Sequence, residues 1–404
     1  MKNGFRIVRR FLSVYNRRKQ CDTLRKKINV LSVIDLNIIR QKSLRYAEAL
    51  RIQEEPYGRY RYSDSGKVPI LYASVYAVLV RHLLNDFTDL KLEDKMQWTE
   101  YICSHQNEDG LFRDPFVEND IAETEDWWGW RHLTIHALMA LKALDSQPKR
   151  QLYFLEKFNT PPKVRLWLNT LDWGRRVAFT SNTIQNIGVA MQFARDFMGE
   201  ENLKDAIAEL LFGIKERCNP KNGLWGYGFD TKNEQLSQGI QAGYHFWLLF
   251  WYDDQKITFP EKVFNSALKL QNKLGGFSRE KIWTSACEDI DALDPIVRLG
   301  LRNDNFKERS FAPIQRALKW ILFNFNEDGG ATFQRSDDFF YGHSLMFSKA
   351  GQSTMFATWF RMLSIAMACE LLKFKEGFVE SPSWRFLDSP GLQFTPEQSG
   401  RHHE

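Results

Sequence analysis

A glycine-centred turn recurs along this chain about every fifty residues. The turn glycines stand at positions 58, 110, 174, 223, 275 and 329, which are 52, 64, 49, 52 and 54 residues apart. Two of the turns, Gln106–Phe112 and Gln271–Phe277, share a glutamine before the glycine and a phenylalanine after it. A period of this length is the signature of a repeat architecture, in which each repeat is one supersecondary unit.

Each turn lies between two segments that have the apolar spacing of a helix. The helices predicted before the turns span Asp94–His105, Leu203–Arg217, Pro260–Leu270 and Pro313–Phe325. Those predicted after the turns span Leu71–Leu84, Trp130–Leu144, Asn182–Phe197, Gln238–Trp251, Pro295–Leu301 and Ser353–Leu372. Pro260 and Pro313 suit first-turn positions, where a missing N–H costs nothing. Strand-like alternation is nearly absent, so the sequence predicts an all-α fold, a closed (α/α)6 toroid of six hairpins with the after-turn helices inside.

The chain divides into three predicted regions: a basic helical N-terminal extension at 1–40, the toroid at 41–374 and an irregular C-terminal tail at 375–404. Residues 1–51 carry 14 Lys or Arg against 3 acidic residues, so their charge is +11 and the remainder of the +5 chain carries −6. The four final residues, 401–404, are predicted to be disordered.

The N-terminal residues 1–20 have the pattern of a basic amphipathic helix, which suits an anionic membrane surface or an acidic partner. The alternative is a solvated helix that packs one stripe against the body. Nucleic acid is not predicted, because the basic excess stops where the globular part begins. We find no apolar stretch of ~18 residues and no signal-peptide core, and the five scattered cysteines contain no CxxC pair. A cytoplasmic, peripherally membrane-associated protein is expected.

Four carboxylates fall within seven residues at Glu288, Asp289, Asp291 and Asp294, directly before an apolar run. One interpretation is a helix N-terminus, where acidic side chains cap free N–H groups and meet the positive end of the dipole. The other is a catalytic cluster, because crowded like charges raise the pKa of at least one member, as a general acid at neutral pH requires.

The turn motifs resemble those of the squalene cyclase (terpenoid cyclase) and protein prenyltransferase superfamily, over roughly residues 55–372. Gly351–Trp359 is similar to the start of the last-repeat helix of the cyclases, and Gly275–Phe277 followed by Asp289–Ala292 falls where they place a DxDD motif. The resemblance implies that Asp291 is the general acid that protonates a polyprenyl double bond or epoxide. Ala292 departs from the motif, and Glu288 or Asp294 are the candidates to replace the missing aspartate.

The zinc ligands of the prenyltransferase branch are not reproduced in this sequence, so neither a metal nor a cofactor is predicted. Cys287, Asp289 and His343 are the residues with which a zinc site would be tested. No phosphate-binding glycine loop and no nucleophile turn occurs in the chain.

If the inner helices begin near the turns, their N-terminal ends surround one mouth of the toroid. Asn182, Gln185 and Gln238 are expected in this lining, and His136 shares a helix face with His132. The predicted substrate-binding residues are Asp126, Trp127, Trp128, Trp130, His132, Tyr244, His245, Tyr341, His343 and Arg361. Clustered tryptophans suit a carbocation or a sugar ring, but they equally suit helix packing. Arg361 implies either a buried ion pair or an anionic ligand.

Three functions remain open at this stage. The first is a cyclase or isomerase of an isoprenoid-type lipid, with Asp291 as the acid. The second is a carbohydrate-active enzyme, a hydrolase, lyase or epimerase, because the predicted mouth is polar. Hydrolysis would pair Asp126 or Glu125 with Asp291 or Asp289 across the cavity. The third is a non-catalytic toroid that binds a ligand or partner. The substrate is expected to be a small molecule, either an isoprenoid lipid or a saccharide.

Overall fold

The computed structural model describes residues 20–28, 35–117, 128–226, 233–378, 382–391 and 394. The described part of the chain is mostly helical, so the predicted all-α class is confirmed. Residues 20–28 are helical, whereas 1–19 and 395–404 lie outside the described residues. The predictions of a membrane-binding amphipathic helix at the N-terminus and of a disordered C-terminal end fall on these residues.

The helices and strands follow one another with short connections. In chain order the α-helices are α1 Leu36–Ala49, α2 Leu71–Leu83, α3 Leu92–Ser104, α4 Trp130–Ala143, α5 Pro161–Thr170, α6 Val177–Phe197, α7 Lys204–Glu216, α8 Asn233–Tyr252, α9 Pro260–Leu270, α10 Ala286–Arg302, α11 Asp304–Phe323 and α12 Met355–Leu372. The 3-10 helices are Pro115–Val117, Tyr153–Phe158, Glu201–Leu203 and Ser344–Met346. The two-residue strands are β1 Ala331–Thr332, β2 Phe339–Phe340, β3 Phe347–Ser348 and β4 Ser353–Thr354, paired antiparallel as β1 with β4 and β2 with β3.

Two predicted helix starts are wrong. Pro260 begins α9 as predicted, but Pro295 lies inside α10 and Pro313 lies inside α11. The true starts are set by side-chain caps: Ser285 accepts a hydrogen bond from the backbone N–H of Glu288, and Asn303 caps α11. A satisfied N-cap therefore outweighs the lost N–H of an internal proline in both helices.

The turn glycines are required by backbone conformation and by close packing. Gly58, Gly110, Gly223, Gly275 and Gly329 all have φ between +75° and +112°, a region that glycine adopts without strain. A Cβ at Gly275 would lie 2.2 Å from the carbonyl oxygen of Arg316, and one at Gly329 would lie 2.3 Å from that of Lys42. The turn at Gly275 thus packs against α11, and the turn at Gly329 packs against α1.

Each shared glutamine connects its turn to a segment 42 or 44 residues further along the chain. The amide group of Gln271 donates to the carbonyl oxygens of Gly275 (3.1 Å) and Pro313 (2.8 Å). Gln106 likewise donates to the carbonyl oxygens of Gly110 (3.2 Å) and Arg150 (2.9 Å). The recurrence of this residue therefore has a structural cause, because one side chain satisfies buried carbonyl groups on two elements.

Six helices contact one another in a cycle. Helix α2 contacts α4, α4 contacts α6, α6 contacts α8, α8 contacts α10, α10 contacts α12, and α12 contacts α2. The remaining helices pack outside this set, for example α9 against α10 and α11 against both α10 and α12. The six helices of the cycle carry most of the buried core, which is why their sequences are apolar on nearly every face.

The sequence expectation that no stretch is long enough to cross a membrane needs one correction. Helix α12 meets that criterion by length and composition, and 94 % of it is buried inside the protein. It packs between α2 and α10 as a core helix, so its apolar character follows from its place in the fold.

Candidate active site

A cavity of about 530 Å³ opens among α4, α6, α8, α10 and α12. Its polar and charged lining consists of His132, His136, Asn182, Gln185, Ser237, Gln238, Gln241, His245, Ser278, Glu280, Lys281, Cys287, Glu288 and Asp291. The rest of the lining is Ile135, Met139, Ala178, Phe179, Tyr244, Tyr341, Phe356 and Phe360. This volume lies within the range of small-molecule pockets.

Glu288 is the third residue of α10 and the partner of the N-cap Ser285. Its carboxylate accepts from the backbone N–H of Ser285 (2.9 Å), which completes a reciprocal capping box. Lys281 forms an ion pair with the same carboxylate at 2.9 Å. Glu288 reaches the cavity edge, and its contacts are those of a helix cap.

Asp289 is held in a buried network. Its carboxylate accepts from the Phe277 backbone N–H (3.0 Å) and from the Thr284 hydroxyl (2.7 Å). Trp320 Nε1 donates to it at 3.1 Å, and Arg361 Nη1 pairs with it at 3.0 Å. The ion-pair alternative for Arg361 is therefore the one observed. Neither Asp289 nor Arg361 lines the cavity.

Two threonines in other repeats accept the same kind of backbone hydrogen bond that Asp289 accepts from Phe277. Thr134 accepts from the backbone N–H of Phe112, and Thr358 accepts from that of Ala331, at 2.9 Å each. Each of these amides follows a glycine turn, as the amide of Phe277 does. The position of Asp289 is therefore a structural cap of the repeat.

Asp294 also has a cationic partner. Arg298, one helical turn later, donates to its carboxylate at 2.8 Å, and both side chains are buried. The Arg298 guanidinium lies over the rings of Trp251 (4.6 Å) and Phe394 (5.0 Å). Asp294 is absent from the cavity lining, so its contacts join α10 to α8 and to the C-terminal segment.

Asp291 differs from its three acidic neighbours. It lines the cavity, is 3 % exposed, and no described residue forms a hydrogen bond or ion pair with its carboxyl group. Burial raises the pKa of Asp291 well above its ordinary value, and the carboxyl groups of Asp294 and Glu288 raise it further. A carboxyl group that stays neutral at the wall of a cavity can donate its proton to a bound molecule.

The hydrogen bonds around His132 fix its tautomer. The Tyr72 hydroxyl donates its proton to the carbonyl oxygen of Gly129 (3.0 Å), so it accepts from His132 Nδ1 (3.0 Å). Burial lowers the pKa of His132 well below its ordinary value, so the ring is neutral and Nε2 accepts from the Tyr341 hydroxyl at 3.1 Å.

The other two cavity histidines are neutral as well. Burial lowers the pKa of His136 to about 4 and that of His245 to about 3. His136 Nδ1 donates to the His132 carbonyl oxygen at 2.7 Å, and His245 Nδ1 is 2.8 Å from Ser181, whose hydroxyl donates to a backbone carbonyl. Both Nε2 atoms are therefore unprotonated and able to accept a proton.

The structure brings only some of the predicted substrate-binding residues to the cavity. His132, Tyr244, His245 and Tyr341 line it. Trp128 is fully buried against Tyr72 (ring centroids 5.4 Å apart), and Trp130 is 3 % exposed; neither lines the cavity. His343 Nδ1 instead accepts from the Leu345 backbone N–H at 3.1 Å. Asp126 and Trp127 lie outside the described residues.

Sequence reasoning missed the apolar part of the lining. Phe356 and Phe360 of α12 are four residues apart, as are Ile135 and Met139 of α4, and Phe179 lies near the start of α6. The signal was available, because residues four apart share a helix face. The predicted lining was based on polar and aromatic residue types and did not use this helical spacing.

No protein-family model matches this chain, and comparison with curated proteins returns no significant match. Within the described ranges, no three His, Cys, Asp or Glu side chains lie close enough together to hold a metal ion. The resemblance to terpenoid cyclases therefore depends on the sequence motifs alone.

Proposed function

We propose that the chain is an (α/α)6 toroid of the kind found in the terpenoid cyclase and protein prenyltransferase superfamily. The cycle of contacts that returns from α12 to α2 supports this proposal. The packing of Gly329 against Lys42 also supports it, since it joins the last glycine turn to the first helix after residue 35. In a closed toroid, the inner helices surround a central space, and five helices of the cycle line the cavity.

For this toroid we infer acid-initiated cyclisation or isomerisation of an isoprenoid-type lipid, with Asp291 as the general acid. The observation that carries the inference is the buried Asp291 carboxyl group, which faces the cavity without a counter-charge. Its proton adds to a carbon–carbon double bond, and electrons of a neighbouring double bond close the ring. The carbocation then loses a proton to a neutral imidazole, His136 or His245, so substrate and product are isomers.

The aromatic lining suits a carbocation. Phe356 and Phe360 from α12 present their rings to the cavity together with Tyr244 and Tyr341. A ring face attracts a cation by its quadrupole, with an energy of about 2 kcal/mol when water is excluded. These four rings and Asp291 therefore supply both the proton and the stabilisation of the charge that it creates.

The charges at the cavity favour an uncharged substrate. Glu280, Glu288 and Asp291 are its carboxyl groups within the described part, and Lys281 is its lysine. Because Lys281 is paired with Glu288, little positive charge remains for a diphosphate. The site therefore suits a neutral polyene, alcohol or epoxide better than a polyprenyl diphosphate.

A saccharide is the second candidate, because the amide groups of Asn182, Gln185, Gln238 and Gln241 line one wall. Hydrolysis requires two carboxyl groups separated by about 5 to 9.5 Å on opposite sides of the bond. The described carboxyl groups of the cavity all come from one stretch, 280–291, so they favour the lipid reaction. The predicted partner Asp126 lies outside the described residues.

The test is turnover of a panel of neutral polyprenyl substrates, polyprenyl diphosphates and oligosaccharides, with products identified by chromatography and mass spectrometry. We expect a product of unchanged mass from a neutral isoprenoid, and a loss of at least about 10²-fold in Asp291→Asn. Glu280→Gln removes another cavity carboxyl group and should keep most of the activity. An inactive wild type across the isoprenoid panel, or an Asp291→Asn variant with full activity, would refute the proposal.

A further inference from the structure

A second concave surface lies away from the cavity, where the helical residues 20–28 meet the Gly275 turn and α11. This basic groove has a volume of about 360 Å³ and is lined by Arg25, Ile28, Lys273, Leu274, Ala312, Gln315, Arg316 and Lys319. Four of its eight lining residues are cationic, and none is acidic.

The cations of the groove lack counter-charges in the described part of the chain. No ion pair there involves Arg25, Lys273, Arg316 or Lys319, and Arg316 donates a hydrogen bond to the side-chain oxygen of Gln271 at 2.7 Å. Four like charges around one groove repel one another, since they lie within about a Debye length of 8 to 10 Å. An external anion would relieve that repulsion.

The groove is anchored on an apolar base. Leu24 and Ile28 are 8 % and 4 % exposed, and they pack with Leu274 and Trp320 in a cluster separate from the main core. The cationic Arg25 between them is exposed. This arrangement holds the segment 20–28 against the body with its charged face outward, so the position of the groove is fixed by packing.

We propose that the basic groove docks the protein on the anionic headgroups of a phospholipid bilayer. Arg25, Lys273 and Arg316 are exposed, which suits an extended charged surface rather than an enclosed phosphate site. The preceding residues 1–19 add seven Lys or Arg and no acidic residue to the same segment. Clusters of this size next to an amphipathic helix bind anionic lipids.

Docking at the groove would also orient the cavity. The loop that lines the groove with Lys273 and Leu274 continues to Ser278 and Glu280, which line the cavity. A molecule dissolved in the bilayer would therefore have a short path to the cavity. The docking itself does not depend on the reaction proposed at Asp291, so each can fail without the other.

The test uses the full chain and sedimentation with vesicles of phosphatidylcholine, alone or with about 30 % phosphatidylserine, in about 0.1 M salt. Wild type should sediment with the anionic vesicles and should not sediment with the neutral vesicles. The double variant Lys273→Gln/Lys319→Gln should lower the partition coefficient about 25-fold, about fivefold for each lysine. The matched pair Lys204→Gln/Lys221→Gln, at exposed sites outside the groove, should change it by less than about twofold.

Circular dichroism melts of both double variants check that the fold is intact, and Lys273→Arg/Lys319→Arg should restore binding. Equal binding of wild type to neutral vesicles would overturn the proposal, and so would equal losses in the two pairs. It would also be overturned if the groove pair abolished binding of a single-stranded RNA oligonucleotide while vesicle binding stayed at the wild-type level.

Discussion

The four clustered carboxyl groups differ in their ion-pair and hydrogen-bond partners rather than in their spacing along the sequence. Asp289 has Arg361, Asp294 has Arg298, and Glu288 has Lys281 and the helix cap. Only Asp291, among these four, faces the cavity without a cation. The sequence predicted that one member of the cluster would differ and ranked Asp291 first, but the cations that pair with its neighbours are 4 to 72 residues away in sequence. Local pattern does not reveal the pair of Asp289 with Arg361, whose members are 72 residues apart.

The raised pKa of Asp291 predicts a pH-dependent stability. Burial, then the charges of Asp294 and Glu288, raises this pKa in the folded state. An acid with a higher pKa folded than unfolded loses stability as the pH rises from about 3.9 towards the folded pKa. Asn is neutral throughout, so Asp291→Asn should gain stability over wild type by up to about 1.4 kcal/mol per pH unit in that window.

Urea unfolding of both proteins at several pH values between about 4 and 8 measures this difference. Asp205→Asn, at an exposed position of α7, is the control, and its difference from wild type should change with pH less than that of Asp291→Asn. A constant difference for Asp291→Asn as well would mean that the native carboxyl group is already ionised, and it would remove the basis for its role as an acid.

At the scale of elements, the glycine turns were predictable because the positive φ that selects glycine is a local property of the backbone. Positive φ and a close neighbour both select glycine, and both recur at Gly110, Gly275 and Gly329. Helix starts were less predictable. Helix α10 begins nine residues before Pro295, because the capping box at Ser285 sets its first residue. Composition favours proline as a start, whereas the observed start depends on a reciprocal pair of hydrogen bonds.

Substituting a turn glycine should separate the cost of conformation from that of packing. Gly275 has φ +112°, and an added Cβ would meet the Arg316 carbonyl oxygen at 2.2 Å. Gly199 has φ +78° with no atom within 4 Å of the corresponding position. Both alanine variants bear the positive-φ cost of about 1 to 2 kcal/mol, and Gly275→Ala should lose a further 1 to 3 kcal/mol, on the order of an overpacked core.

The measurement is the free energy of unfolding in urea, compared between Gly275→Ala and Gly199→Ala. If the two variants lose the same stability, the turn at Gly275 tolerates a side chain, and the glycine repeat would then reflect backbone conformation alone.

At the scale of the whole molecule, the period of fifty residues could not show how the C-terminal segment is held. Residues 382–391 and 394 pack against α2, α6 and α10. The Arg385 backbone N–H donates to the Leu83 carbonyl oxygen at 2.9 Å, and Gln185 donates to that of Gly391 at 3.3 Å. Gly391 also packs against Val189 of α6. This segment was predicted only as an irregular tail, because it has no periodicity of its own.

Phe394 tests whether this segment stabilises the whole fold. It is 2 % exposed, packs edge-on against Phe386 with ring centroids 4.9 Å apart, and lies under the Arg298 guanidinium. Truncating a buried phenylalanine costs about 3 to 5 kcal/mol, so Phe394→Ala should lower the free energy of unfolding by that amount. Phe212→Ala, at a position of α7 that is 53 % exposed, should lower it by less than about 1 kcal/mol. Urea unfolding of the two variants decides: equal small losses would mean that the segment adds nothing to global stability, and that the inner helices hold together without it.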